Sequence, residues 1–258
     1  MSNAGLTNRR LAQASRQLAT FALVFSATSL FAGVRHFTFL YEAPTSAPGS
    51  VEMENSITWK RGNDPRFDQV DFRHEFEVGV TDRFQLSLYV ADWNYRSPEQ
   101  SGFTLSDAAV EAIYNLTNPV IDPVGVSIYQ EVRAGDRLVE WESKLIAQKN
   151  YGRWILAYNA TLEAVWEGHN LDEREGELSQ AVGASYEISP RLSVGLEFLH
   201  EFVFEDWRDN ENIRNVFVGP NVSYRHSNWF VTTTALAQAT DTSGEPDFQL
   251  RTIFGIGF

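Results

Sequence analysis

The chain of 258 residues contains no cysteine, which excludes a disulfide framework, thiolate catalysis and any cysteine-ligated metal. It is also short of bases, with 21 Lys and Arg against 34 Asp and Glu, a formal charge of -13. Without a basic stripe to release phosphate counterions, a nucleic-acid partner is not expected. Beyond the first 32 residues no run of about 18 apolar residues occurs, which excludes a helical membrane protein. That absence leaves a membrane barrel open, because barrel strands hide their lipid face in alternation. No calcium-loop spacing of the type D-x-D-x-D-G is present, and the Gly-x-Gly pieces near Gly255 lack the strand-to-helix setting of a phosphate loop. Neither a metal nor a cofactor is expected.

What the chain does have is clearest at residues 69–93, QVDFRHEFEVGVTDRFQLSLYVADW. Read with period two, Asp71, Arg73, Glu75 and Glu77 take one face and Phe72, His74, Phe76, Val78 and Val80 the other. A Thr81-Asp82-Arg83 turn follows, and the second arm sets Gln85, Ser87 and Tyr89 against Phe84, Leu86, Leu88 and Val90. A soluble sandwich seldom carries so dense a row of carboxylates on its wet face. A transmembrane barrel does so naturally: apolar side chains meet lipid, charged ones meet a watery lumen, and aromatic residues mark the rims.

The amino terminus reads as an export signal over residues 1–32. Arg9, Arg10 and Arg16 form a positive region, residues 18–31 are apolar and uncharged, and small residues near Ser29, Ala32 and Gly33 offer cleavage sites. Asn8-Arg9-Arg10-Leu11 contains paired arginines, but a barrel must cross the inner membrane unfolded, so ordinary secretion is the reading. Removal takes three bases and no acid, leaving 18 basic against 34 acidic side chains. Residues 33–49, with Pro44 and Pro48, read as a periplasmic strap or a small plug, and 50–258 as the barrel.

Ten more alternating stretches follow the same layout, giving strands at about 51–60, 103–116, 124–134, 138–148, 153–166, 177–188, 192–203, 213–226, 228–239 and 247–258. With the two arms of the hairpin, the expectation is a single all-β, antiparallel, twelve-stranded transmembrane barrel. Short turns near residues 82, 120, 150, 190 and 227 interleave with mostly longer, more polar loops, which puts both chain ends on the periplasmic side. Eight of nine prolines fall outside these strands, and Pro220 demands a bulge or a locally broken ladder.

The phase assigns the lumen fourteen acids: Glu52, Glu54, Asp71, Glu75, Glu77, Asp107, Glu111, Glu131, Glu140, Glu142, Glu163, Glu187, Glu197 and Glu201. Six bases join them, Lys60, Arg73, Arg133, Lys144, Arg225 and Arg251, along with Tyr129. Carboxylates crowded in a tube attract cations, so an open pore favours cations or neutral solutes. The alternative is that the charges pair across the lumen and fill it. Trp59, Trp93, Trp141 and Trp166 mark one aromatic rim, and Tyr114, Trp154, Tyr186, Tyr224 and Phe258 the other. His74 and His200 fall on the lipid-facing track, which raises an exterior lipid-modifying active site, although no outward serine with an acid or amide partner accompanies either one. The acid-rich loops at 167–177 and 205–212 read as solvated, with divalent bridging to lipopolysaccharide as the alternative.

The block Glu75-Phe76-Glu77-Val78-Gly79-Val80-Thr81-Asp82-Arg83, the Gln148-Lys149-Asn150 turn, Gly219-Pro220-Asn221 and the terminal Phe258 resemble outer-membrane barrels related to the phenol-degradation family of porins or transporters. The resemblance covers most of the chain after the signal but lies in barrel architecture, and it carries over no binding residues. It implies an outer-membrane barrel. From it and the lumen row the expectation is a monomeric passive channel for a small solute, in contact with outer-membrane lipid and lipopolysaccharide. Phe258 is expected to present the chain to the barrel-assembly machinery. The alternatives are a lipid-modifying enzyme and a barrel without a pore.

Overall fold

The computed structural model describes residue 33, residues 35–207 and residues 213–258; the expected export signal at 1–32 lies outside them. Twelve strands follow in chain order: β1 Val51–Asn63, β2 Arg66–Thr81, β3 Phe84–Ser97, β4 Thr104–Thr117, β5 Gly125–Gly135 and β6 Leu138–Tyr151. They continue as β7 Trp154–Glu167, β8 Glu173–Ser189, β9 Leu192–Glu205, β10 Ile213–His226, β11 Trp229–Gln238 and β12 Phe248–Gly257. Each pairs antiparallel with its sequence neighbours, and β1 pairs with β12 from Glu52↔Gly257 to Arg61↔Phe248, so the sheet is a closed barrel. Closure leaves no edge, which is the condition for a sheet in hydrocarbon.

The outer wall carries Leu88, Val110, Val132, Leu145, Leu162, Val182, Leu196 and Val222, all exposed in the protein alone, as a lipid-facing surface requires. Several elements run longer than the alternation implied. β1 and β2 continue to a two-residue connection, Asp64-Pro65, and β5 meets β6 across Asp136-Arg137. The loops expected after the first and fifth strands are therefore tight turns. β8 begins at Glu173, so residues 173–176, read as loop, belong to the strand, and Glu177, expected as its first residue, stands well inside it opposite Glu163.

Two irregularities are local answers to packing. In β3 the ladder shifts between Tyr89 and Trp93 on both flanks, a bulge that lets Tyr89 and Asp92 both face inwards and turns Trp93 outwards. Strict alternation would have placed Trp93 inside and Asp92 outside. In β10 the pairing to β11 omits Gly219 and Pro220 while its register is kept on either side, Val218↔Ala237 and Asn221↔Thr234. The proline thus sits in a locally broken ladder without a bulge. A Cβ on Gly219 would lie 1.8 Å from the carbonyl oxygen of Ala235, so only glycine lets β11 approach there. Gly219→Val is expected to cost about 1–3 kcal/mol, read as a lower urea midpoint for the heat-modifiable folded band on electrophoresis.

Candidate functional site

The lumen is occupied by the chain's own residues 35–47. This segment carries Pro44 and Pro48 and forms no strand, so its main chain needs partners other than a ladder, and the inward side chains supply them. Asn159 of β7 receives the Tyr41 amide at 2.6 Å and donates to the Tyr41 carbonyl at 3.0 Å, reproducing with one side chain both bonds of a strand pair. Gln148 accepts from the Ala43 amide at 2.8 Å, while Asn115 and Ser127 donate to the Ala43 carbonyl at 2.7 and 2.5 Å. Glu197 accepts the amides of Thr38 and Phe39 at 3.0 and 2.8 Å. Asn221 donates to the His36 carbonyl, and Ser223 and Thr232 both donate to that of Arg35.

Apolar contacts hold the segment too. Phe37 and Leu40 are fully buried against Ile155, Ala157, Ala181, Leu199, Phe217 and Leu236, a greasy patch on the inner wall of β7 to β11. Burying two such side chains contributes about 1.5–3 kcal/mol each. Phe37 lies where a side chain on Gly183 would stand, 2.5 Å from its ring. The lumen is therefore not uniformly ionic, contrary to the alternation-based reading: one wall is apolar because it receives these two residues.

Three of the spaces around the segment follow one another along the barrel. A cavity of about 430 Å³ opens towards the short turns and is lined by Glu42, Glu52, Glu54, Glu77 and Glu187 with Arg35, His36 and Arg225. A second, of about 420 Å³, faces the opposite end. Its charged lining is five acids, Asp71, Asp92, Asp107, Glu142 and Glu201, and five bases, Lys60, Arg73, Arg133, Lys144 and Arg251. Between them a void of only about 10 Å³ remains beside Arg35, Tyr41, Arg73, Glu75, Tyr89 and Arg251. Tyr41 lines all three spaces.

This waist is charge-paired. Arg73 reaches Asp92 at 2.9 Å and Glu131 at 2.8 Å and lies 3.8 Å over the Tyr89 ring. Arg133 pairs with Glu140 at 3.0 Å, Glu131 at 3.2 Å and Asp107 at 3.4 Å. Tyr41 donates to Glu111 at 3.0 Å and packs on Tyr129 with ring centroids 4.8 Å apart. Lys144 pairs with Glu142 and stands 4.3 Å over the Tyr129 ring.

The residues expected to line the lumen do not share one surface. Glu52, Glu54, Glu77 and Arg225 line the first cavity; Asp71, Arg73, Asp107, Tyr129, Arg133, Glu142, Lys144 and Arg251 line the second. Glu75 borders only the narrow void, and Glu111, Glu131, Glu163 and Glu197 border none of these spaces. For Glu111 and Glu197 the reason is the segment packed on them. Asp92 and Glu177 were not assigned: a bulge hides the phase of the first, and the second stands at the expected first residue of its strand, beside an acidic loop. The main-chain role of Asn115, Gln148 and Asn159 has no sequence signal, since their partners lie 72 to 118 residues away.

The exterior residues form two belts. Tyr114, Trp154, Tyr186, Tyr224 and Phe258 lie towards the short turns, with Trp154 and Tyr186 ring centroids 5.0 Å apart. Trp59, Trp93, Trp141 and Trp166 lie towards the other end; Trp93 stacks on Phe72 at 3.7 Å and Trp166 meets Trp207 edge-on. His74 has both ring nitrogens engaged, Nδ1 with Asn55 Oδ1 at 2.8 Å and Nε2 with the Trp93 indole at 3.1 Å. Both nitrogens are thereby engaged within the wall, with the indole N–H donating to Nε2. His200 lies opposite Gln180 and Val216.

No curated protein matches the sequence. Among solved structures, an outer-membrane channel from Pseudomonas putida F1 aligns with 86% of this chain and 100% of its own at TM-score 0.60 and 13% identity. The NanC porin aligns over 80% of this chain and 98% of its own at TM-score 0.54 and 12% identity. The β domain of the Bordetella autotransporter BrkA aligns over 83% of this chain and 100% of its own at TM-score 0.50 and 11% identity. At these identities the likeness is one of fold.

Two predictions test how the segment is held. Asn159→Leu leaves the Tyr41 amide and carbonyl unpaired, a loss of about 1–3 kcal/mol for each buried group; faster hydrogen exchange at Tyr41 in an otherwise folded barrel is the expected result. The second concerns His36. Burial lowers the proton affinity of its ring, but Glu42 at 2.8 Å and Glu187 at 3.7 Å outweigh burial and the nearby Arg225, so its pKa is raised. A raised folded value means that the ion pair stabilises fully below the ordinary imidazole range, near about 6.5, and is lost as pH rises through the folded value. Protease cleavage within 35–47 should increase across that window, and His36→Gln should flatten the dependence. Residues 29–249 match the model of DUF6662, a family of unknown function, and the chain belongs to that family.

Proposed function

We propose that this protein is an outer-membrane channel passing a small cationic or neutral solute, with residues 33–49 acting as a plug that sets the width of the path. The observation that carries this reading is the pair of polar cavities, one at each end of the barrel, meeting at a waist formed by Arg35 and Tyr41 of the segment. Side chains alone do not fill this lumen; the segment does, and it is joined to the wall by hydrogen bonds and packing that can be given up singly. The first cavity carries a clear acidic excess, which supports cation preference, while the second is balanced and accepts neutral or zwitterionic groups.

Export under a signal over residues 1–32, a monomeric state, delivery to the assembly machinery through Phe258 and contact with lipopolysaccharide belong to the same proposal. So does kinship with the phenol-degradation barrels, which rests on the 75–83 block and the terminal aromatic residue. Conductance in planar bilayers tests the reading. The intact protein is expected to conduct weakly, and removal of residues 36–46 to raise conductance several-fold. Glu77→Gln with Glu187→Gln should move the reversal potential in a salt gradient towards zero. A barrel that stays electrically silent both with and without the segment would overturn the channel.

A further inference from the structure

Beside the first cavity and the waist, β1 and β2 set acids directly against acids. β1 and β2 place Glu52 directly opposite Glu77, and Glu54 directly opposite Glu75, with all four inward and buried. Like charges facing each other across an antiparallel pair destabilise it, so counter-charge is called for. Arg35 provides it for Glu54, at 2.7 Å, and the Ser46 hydroxyl donates to Glu77. Glu52 has a different partner. Its Oε2 lies 2.6 Å from the main-chain nitrogen of Gly33, which approaches without a side chain; a Cβ there would sit 3.4 Å from Oε1 of the same carboxylate.

As a peptide nitrogen this atom offers one N–H and no charge. Its position in the sequence changes that. Gly33 follows Ala32 at the end of the expected export signal, a small residue suited to the site of signal removal. Hydrolysis of that bond adds water across the amide: the Ala32 carbonyl leaves as a carboxylate with the signal, and the Gly33 nitrogen takes up the protons to become an ammonium with three N–H donors.

We infer that the mature chain begins at Gly33 and that Glu52 is the seat of its α-ammonium. The inference rests on the export reading above. Signal removal then creates a positive charge against the acidic wall of β1 and β2, and the segment is anchored there at two cationic groups, the terminus on Glu52 and Arg35 on Glu54. A charged hydrogen bond of this kind is roughly twice as strong as the neutral one it replaces, so the segment settles firmly only after processing.

The test uses full-length protein expressed with its own signal and recovered from the outer membrane. Intact mass and the amino-terminal peptide are expected to start at Gly33. The folded protein in detergent is then treated with a limiting amine-acylating reagent near neutral pH, and labelling of the Gly33 amine is read by mass spectrometry against exposed Lys149. Labelling should be at least tenfold slower in the folded than in the urea-unfolded protein. It should rise at least tenfold in folded Glu52→Gln and much less in Glu52→Asp, which keeps the charge. A mature chain starting elsewhere overturns the inference and leaves export standing, whereas an unprocessed chain overturns both. Equal labelling of wild type and Glu52→Gln, or of folded and unfolded wild type should the variant not fold, rejects the ammonium seat.

Discussion

A polar main chain surrounded by oil must find every hydrogen-bond partner within the protein, and the barrel follows from that constraint. An unpaired N–H or C=O in hydrocarbon costs several kcal/mol, so the sheet has to close, and β12 returns to β1 over ten register pairs. Closure in turn fixes the side chains. One phase of each strand meets lipid and is apolar; the other meets the interior and is free to be charged. Pro220, which has no N–H to give, is tolerated because the ladder skips it and Gly219 brings the neighbouring backbone close.

The same constraint operates inside the barrel, where the partners are side chains instead of strands. Residues 35–47 cannot join a ladder, yet the main-chain groups from Arg35 to Ala43 named above are matched by polar side chains from seven strands, β4 to β7 and β9 to β11. Most are neutral amides or hydroxyls, which satisfy an amide without leaving a charge to be balanced. Glu197 is the exception: its carboxylate collects two main-chain amides together with Asn221 and Thr234, so four donors satisfy it where no base among the described residues is paired with it. The lumen reads the segment by its backbone, with Phe37 and Leu40 fixing the register.

The barrel was legible because a period of two survives in most strands, and the strong alternation of Glu75 to Val80 needs no tertiary information. Three things were not. The β3 bulge reverses the phase after Tyr89, so Asp92 could not be assigned to the lumen from spacing alone. The extra turn's length of β8 lay inside a stretch so acidic that it read as a loop. Above all, the role of residues 33–49 depends on contacts that reach as far as 197 residues along the chain, and a short apolar piece followed by two prolines is as consistent with a strap as with an occupant of the lumen. The inward apolar residues Ile155, Leu199 and Phe217 were the available clue, since greasy side chains on the wet phase imply a partner within the tube.

Charge completes the argument by separating what the wall does from what the segment does. Twelve strands give a tube wider than its own inward side chains can close, and Arg73 and Arg133 of the second cavity are drawn into pairs by Glu131, Asp92 and Glu140. The wall therefore fixes a width and a field. Arg35 and Tyr41 then reduce the width at one level, and they do so by ion pair and hydrogen bond to Glu54 and Glu111, which tie the narrowest point to acids of the wall. On the channel reading proposed above, a solute able to replace those two contacts with its own donors is the one for which the waist presents the smallest obstacle, which links the chemistry of the constriction to the cationic or polar neutral solutes of that proposal.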